Sequence, residues 1–260
     1  MPHLFIFGLG YTAKRIAALA EALGWSVSAT GSDCNVDFGD SSEIARHIGL
    51  ADYVLSSVPP GRQSGTDPVL DAYGDGLTAK RLGYLSSTGV YGDTGGAWVD
   101  EGSPTGSGRR TARAQCDAAW LARGAHVFRL PGIYGPGRSP LDRVRGGTAH
   151  RIDLPGQVFS RVHVEDIASG VLAALAGDAP AGAYNLGDDL PCSQNAVIEE
   201  ACRLLGVEPP PLQTMEEAGL SEMARGFYAE NRRVANGKAR RILGWQPAFP
   251  TYREGLRGLP

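Results

Sequence analysis

The chain has 260 residues with 25 Lys+Arg against 28 Asp+Glu, a formal charge of −3, which excludes a polybasic nucleic-acid or membrane-surface protein. At roughly 100 to 200 residues per domain, the length suits one large α/β domain or a domain with a smaller lobe. No apolar run approaches the ~18 residues that cross a bilayer and no basic leader precedes the first strand pattern, so a soluble cytoplasmic protein is expected.

Leu4-Phe5-Ile6-Phe7 is a short apolar run ending in Gly8. Gly10 follows, and Ala13, Ile16, Ala17, Ala20 and Leu23 recur at helical spacing up to Gly24, a C-terminal stop. Trp25 to Thr30 alternates as a second strand, so the opening is a βαβ unit. Residues 31–41 are polar, Glu43 to Ile48 can form a short helix, and Asp52 to Ser57 is a third strand stopped by Pro59-Pro60-Gly61. A helix interrupted at Gly74 and Gly76 precedes the strand Leu82 to Ser86, which exits through SSTGVYG (Ser86 to Gly92). The helix Arg110–Arg123 leads to the strand His126–Leu130, which ends in PGIYGPG (Pro131 to Gly137). Beyond it come helices at Val164–Leu175, Ser193–Leu205 and near Val234–Leu243, with Tyr184 to Leu186 between the first two. Pro209 to Pro211 marks a break.

Alternating strands and helices predict an α/β fold with a doubly wound parallel Rossmann sheet, and a smaller interleaved C-terminal lobe for substrate. Residues 1–130 read as the nucleotide-binding core, and 131–260 as the completion of the sheet plus that lobe. Ligands in such sheets bind outside the carboxyl ends of the strands, where the quoted turns all lie.

GLGYTA, comprising Gly8, Leu9, Gly10, Tyr11, Thr12 and Ala13, has GxGxxA spacing between a strand and a helix. The glycines permit a tight turn and close backbone approach. The helix N-terminus offers N–H groups and a positive dipole end to a pyrophosphate. The tip of the second strand reads Thr30-Gly31-Ser32-Asp33. Asp33 suits the ribose hydroxyls of NAD, whereas Gly31 and Ser32, with no acid at the tip itself, tolerate the extra phosphate of NADP. Both cofactors stay open, with a lean towards NADP. Asp37-Phe38 can flank the adenine or, equally, be a solvated acid beside a core Phe. The four cysteines show no CxxC pair and no metal-ligand spacing, so reduced thiols and no metal site are expected.

These turns, with SSTGVYG, PGIYGPG, FSRVHVEDIA (Phe159 to Ala168), YNLGDDLP (Tyr184 to Pro191) and LGWQPAFP (Leu243 to Pro250), resemble an extended short-chain dehydrogenase/reductase of the NAD-dependent epimerase/dehydratase superfamily, in its atypical branch. The resemblance implies a catalytic hydroxyl at Ser87 and cofactor contacts from Ser57, Val58 and Pro59 and from Pro131 and Ile133. It also implies a small polar substrate, such as a nucleotide sugar, and it admits a homodimer. The family's YxxxK pair falls here on Arg109 and Arg113. Arg113 can replace the lysine at the cofactor ribose, but an arginine cannot shuttle a proton at neutral pH. Tyr91 is the nearest substitute acid in sequence, set against the favoured reading of a ring packed under the cofactor loop. Arg161 is the candidate substrate contact in a lobe that also carries Arg138, Arg143, Arg145 and Arg151. His163 reads as a structural residue at a helix start, with Glu165 and Asp166 in the first turn. The functional expectation is an NAD(P)-dependent oxidoreductase or epimerase-like enzyme. The alternative is a non-catalytic NAD(P) sensor that has lost the YxxxK pair.

Overall fold

The computed structural model describes residues 1–259 apart from Asp33, Asn35, Ala79 and Arg110; the side chain of Met223 is likewise outside the described set. The first half alternates β1 (His3–Phe7), α1 (Tyr11–Ala22), β2 (Ser26–Ala29), α2 (Ser41–Leu50), β3 (Tyr53–Ser56), α3 (Pro68–Tyr73) and β4 (Arg81–Ser87). It continues through β5 (Trp98–Val99), α4 (Thr111–Ala122) and β6 (His126–Leu130). The expected start of α4 at Arg110 lies outside the described residues. The second half runs β7 (Gly132–Tyr134), α5 (Pro140–Arg145), β8 (Arg151–Ile152), β9 (Arg161–His163), α6 (Val164–Ala176) and β10 (Gly182–Asn185). It ends with α7 (Gln194–Leu205), β11 (Leu212–Gln213), α8 (Glu222–Tyr228), β12 (Arg233–Val234), α9 (Gly237–Leu243) and α10 (Tyr252–Arg257).

Six of these strands form one parallel sheet in the order β10-β6-β4-β3-β1-β2. The order reverses between β1 and β3, the switch point at which such sheets open a crevice for ligand. β1 shows why the sheet is buried on both sides. Leu4 and Ile6 join one core with Ile16 and Ala20 of α1 and Ile167 and Val171 of α6, while Phe5 and Phe7 join the other with Ile44, Val69 and Trp120. Period-two geometry sends successive side chains to opposite faces, and full burial of each is worth about 1.5–3 kcal/mol.

Helix starts follow local chemistry. Asp40 caps α2 by accepting from the N–H groups of Ser42 and Glu43, and Asp67 caps α3 through those of Val69 and Leu70. Asp67 also accepts from Trp120 Nε1 at 2.7 Å, which locks α4 to the cap.

Short elements build the second lobe. β7 pairs with β9, β8 with β11 and β12 with β5, and α5, α7 and α10 share a small core of Leu141, Val197, Ala201, Tyr252 and Leu256. The helix expected near Val234–Leu243 begins only at Gly237, because Arg233 and Val234 are drawn into pairing with Trp98 and Val99. No helix among the described residues is long and apolar enough to cross a membrane.

Candidate functional site

The first turn after β1 is held by backbone bonds. Gly8 has φ +83°, and a side chain there would meet Val58 Cγ2 at 3.1 Å and Ser57 Oγ at 3.2 Å. Ser57 Oγ donates to the Gly8 carbonyl, and Leu9 N–H donates to Thr30 O at 2.8 Å. Gly8 and Leu9 therefore serve the turn itself. Gly10 is different. It caps α1 with an ordinary extended φ of −84°, and a Cβ built on it meets nothing within 4 Å. Nothing in the fold demands glycine there, whereas close approach by a pyrophosphate does. The amides of Tyr11, Thr12 and Ala13 begin the helix and have no acceptor within it.

Gly10, Tyr11, Thr12 and Ala13 line a cavity of about 1020 Å³ together with Ser57, Ser87, Pro131, Ile133, Arg113 and Arg161. The structure thus gathers most of the sequence-predicted residues at the carboxyl ends of β1, β3, β4 and β6. Gly31 and Val58 lie in a second cavity of about 520 Å³ with Thr30, Val36, Asp37 and Phe38. A cleft with apolar walls and one carboxylate beside the switch point has the dimensions and chemistry for an adenine ring. Ser32 and Pro59 are exposed and line neither cavity, and Asp33 lies outside the described residues.

Ser87 stands at the end of β4, where its Oγ accepts from Gly89 N–H at 3.1 Å and keeps its own proton for another partner. The two positions of the YxxxK pair both line the large cavity. Arg113 donates to Tyr84 Oη at 2.8 Å and to the Leu85 carbonyl at 3.4 Å. Arg109 pairs with the buried carboxylate of Glu230 at 3.5 Å, and its backbone N–H donates to the same Oε1 at 3.0 Å.

Tyr91 does not reach this cavity. It is 2% exposed, and its hydroxyl donates to Asn185 Oδ1 at 2.8 Å while accepting from Arg129 at 3.0 Å. Arg129 in turn makes a two-pronged pair with Asp117 at 2.8 and 3.1 Å, and Asp117 accepts from Ser86 at 2.6 Å. Burial pushes the Tyr91 hydroxyl up from its ordinary value, against the opposing pull of Arg129. Tyr91 is a member of a buried network that ties β4, α4, β6 and β10 together, and the catalytic assignment drawn from its place in the sequence gives way to this.

Arg161 lines the cavity, but its guanidinium is engaged elsewhere. It donates to the carbonyls of Phe159 at 2.9 Å and Cys192 at 3.1 Å and to Gln194 Oε1 at 3.1 Å. That set of acceptors pins β9 to the start of α7. His163 accepts from Glu165 N–H at 3.3 Å as the cap of α6, and burial lowers its imidazole to about 4, so it stays neutral.

One cavity residue carried no signal in the sequence. Tyr228 ends α8, packs edge-on to Phe159 at 5.5 Å, and has no hydrogen-bond partner for its hydroxyl among the described residues. The other tyrosines of the cavity are engaged: Tyr11 donates to Pro136 O at 3.0 Å, Tyr134 to Thr251 O at 3.4 Å, and Tyr252 is bonded to Arg253. Burial raises the Tyr228 hydroxyl, partly offset by the charges of Arg143 and Arg161, so it is a protonated phenol at neutral pH.

No protein-family model matches the chain. Its fold is shared, with a TM-score of 0.87, by the structure of a conserved protein of unknown function from Silicibacter pomeroyi, 39% identical over 99% of this chain and 97% of that one. Protein YeeZ of Escherichia coli strain K12 is 28% identical over 292 aligned residues, spanning 96% of this chain and 97% of its own length. The human epimerase family protein SDR39U1, solved with NADPH, is 16% identical and superposes with a TM-score of 0.75 over 98% of both chains.

Proposed function

We propose that the chain, which shares its fold with solved epimerase/dehydratase structures, is an atypical extended short-chain dehydrogenase/reductase of the NAD-dependent epimerase/dehydratase superfamily and works as an NAD(P)-dependent oxidoreductase on a small polar substrate. The observation that carries the reading is Gly10: a glycine with open space above it at the first turn of α1, on the wall of the large cavity, with the smaller adenine-sized cleft alongside. Tyr11, Thr12 and Ala13 would hold the pyrophosphate through their amides, Asp37 and Phe38 would flank the adenine, and Ile133 would support one face of the nicotinamide. The bound dinucleotide supplies or accepts the hydride.

The residues of the chain handle the rest. Ser87 holds a substrate oxygen through its hydroxyl. Tyr228 delivers or takes up the proton, since it is the cavity phenol left without a partner and it is protonated at neutral pH. Arg113, beside Ser87 on the cavity wall, orients ribose hydroxyls as a fixed donor. Arg109 takes the place of the usual tyrosine and is held by Glu230, so it shapes the wall and moves no proton. This same pair of arginines favours the second reading, a dinucleotide sensor without turnover. The cofactor is NADP by preference, because the tip of β2 presents Gly31 and Ser32.

Calorimetric titration with NADPH and NADH tests the reading, with Gly10→Asp as control. The variant should fold normally, since its new side chain points into open space, and should lose binding at least 100-fold through bulk and charge at the pyrophosphate. Failure of the native chain to bind either dinucleotide would overturn both readings. Binding, followed by substrate-dependent change in NADPH absorbance in a carbonyl-compound screen, would separate enzyme from sensor.

A further inference from the structure

The arginines around the large cavity are not equivalent. Arg109 and Arg232 share the carboxylate of Glu230, Arg113 donates to Tyr84 and Leu85, and Arg161 is fully engaged with backbone carbonyls and Gln194. Arg15, on the first helix, pairs with Glu165 at 3.5 Å. Arg138 and Arg143 are exposed, line the cavity, and have neither a carboxylate nor a hydrogen-bond acceptor for the guanidinium among the described residues. Of the two, Arg138 lies over the ring of Tyr11, 4.5 Å from the centroid.

That position is built rather than incidental. Residues 135–138 close on themselves through Arg138 N–H to Gly135 O at 3.0 Å and Gly135 N–H to Arg138 O at 3.4 Å. Tyr11 Oη anchors the turn by donating to the Pro136 carbonyl at 3.0 Å. Gly135 allows the approach: with φ +151°, a Cβ there would fall 2.7 Å from Val164 Cγ1 and 3.0 Å from Tyr11 Oη. Tyr11 is also the first residue of α1, so the ring that carries Arg138 sits at the point where the helix offers its unpaired amides. A helix N-terminus contributes about half a positive charge, which leaves most of a pyrophosphate's two negative charges unmatched.

Resting on the dinucleotide reading above, we propose that Arg138 closes over the cofactor's pyrophosphate as a side-chain clamp, delivered from the substrate lobe onto the N-terminus of α1. Its planar fork can bridge two phosphate oxygens in a way a lysine cannot. Because Arg138 precedes Ser139, the cap of α5, the clamp joins cofactor binding to the first helix of the substrate lobe.

The test compares three ligands on the native chain, Arg138→Ala and Arg138→Lys by calorimetry: NADPH (or NADH, whichever binds more tightly), ADP, and adenosine titrated to millimolar concentration. The clamp requires Arg138→Ala to weaken the dinucleotide and ADP by about tenfold or more, with adenosine unchanged within about twofold. Arg138→Lys should recover part of the loss, and the salt dependence of dinucleotide binding should be shallower in Arg138→Ala. Equal loss for adenosine would mean that Arg138 only shapes the site, and unchanged dinucleotide affinity would mean that it never reaches the phosphates; either result overturns the proposal. A native chain that binds no dinucleotide removes the underlying reading as well, a result distinct from a native chain that binds and an Arg138→Ala variant that binds equally.

Discussion

Tyr91 is tied into a buried network, whereas Tyr228 lines the large cavity with no hydrogen-bond partner for its hydroxyl among the described residues. Tyr91 follows the β4 motif and is 2% exposed in a hydrogen-bonded chain running from Ser86 through Asp117 and Arg129 to Asn185. Every polar atom of that chain has low-dielectric surroundings, so removing one link leaves others unmatched. Tyr91→Phe should therefore cost about 1–3 kcal/mol in urea unfolding while leaving dinucleotide affinity unchanged. Tyr228→Phe should do the reverse, with native stability and cofactor affinity but kcat lowered about 100-fold once a substrate is in hand. Full activity in Tyr228→Phe would remove it from the mechanism. Nothing local marks Tyr91 as buried, because its partners lie on β6 and β10, up to 94 positions away.

Elements long enough to show a period were legible. α1, α4, α6 and α7 have 12 or 13 residues each, and the sheet strands were found because an apolar run must sit between two helix-covered faces. α5, α8 and α10 have six or seven residues, fewer than two turns, and β5, β8, β11 and β12 have two residues apiece. Such pieces hold their shape through the lobe they build rather than through any pattern of their own, and the short α8 is the one that carries Tyr228. The turn between β1 and α1 was legible for the opposite reason, since GLGYTA encodes its geometry in six consecutive residues. The 135–138 turn tests how tightly elements are coupled there. Gly135→Ala forces a Cβ into Val164 and towards the Tyr11 hydroxyl at a strained φ, and should lower stability by about 1–3 kcal/mol. It should also weaken dinucleotide binding, because the turn that holds Arg138 moves; intact binding would show the two to be uncoupled.

At the scale of the whole molecule, buried ionisable groups set the response to pH. Asp188 is 2% exposed, and one carboxylate oxygen has no partner among the described residues while the other accepts from Leu190 N–H at 3.3 Å. Burial pushes it up to about 7 despite the nearby Arg161, and burial likewise raises Asp166 to about 6 against the two amides of Ala248 and Phe249 that hold it. A carboxyl group whose folded value is raised takes up its proton in the native state first, so the stability it contributes is present at low pH and lost as pH rises through the folded value. His163, lowered to about 4, works in the opposite sense, but only below the ordinary imidazole value of about 6.5. Between pH 8 and 6.5 Asp188 dominates. The urea midpoint of the native chain should rise as pH falls across that window, and Asp188→Asn should flatten the rise; an equally steep slope in the variant would assign it to another group.

The order in which the sheet is completed bears on how the chain emerges from the ribosome. β6 is flanked by β4 on one side and by β10 on the other, and β10 comes more than 50 residues later in the sequence. At about 5–20 residues per second, that strand arrives several seconds after its neighbour. Until it does, β6 presents a bare edge, and the Arg129–Asp117 pair and the Tyr91 hydroxyl lack the cover of Asn185. The β6 edge is thus open to mispairing in the interval between the synthesis of two strands that end up side by side.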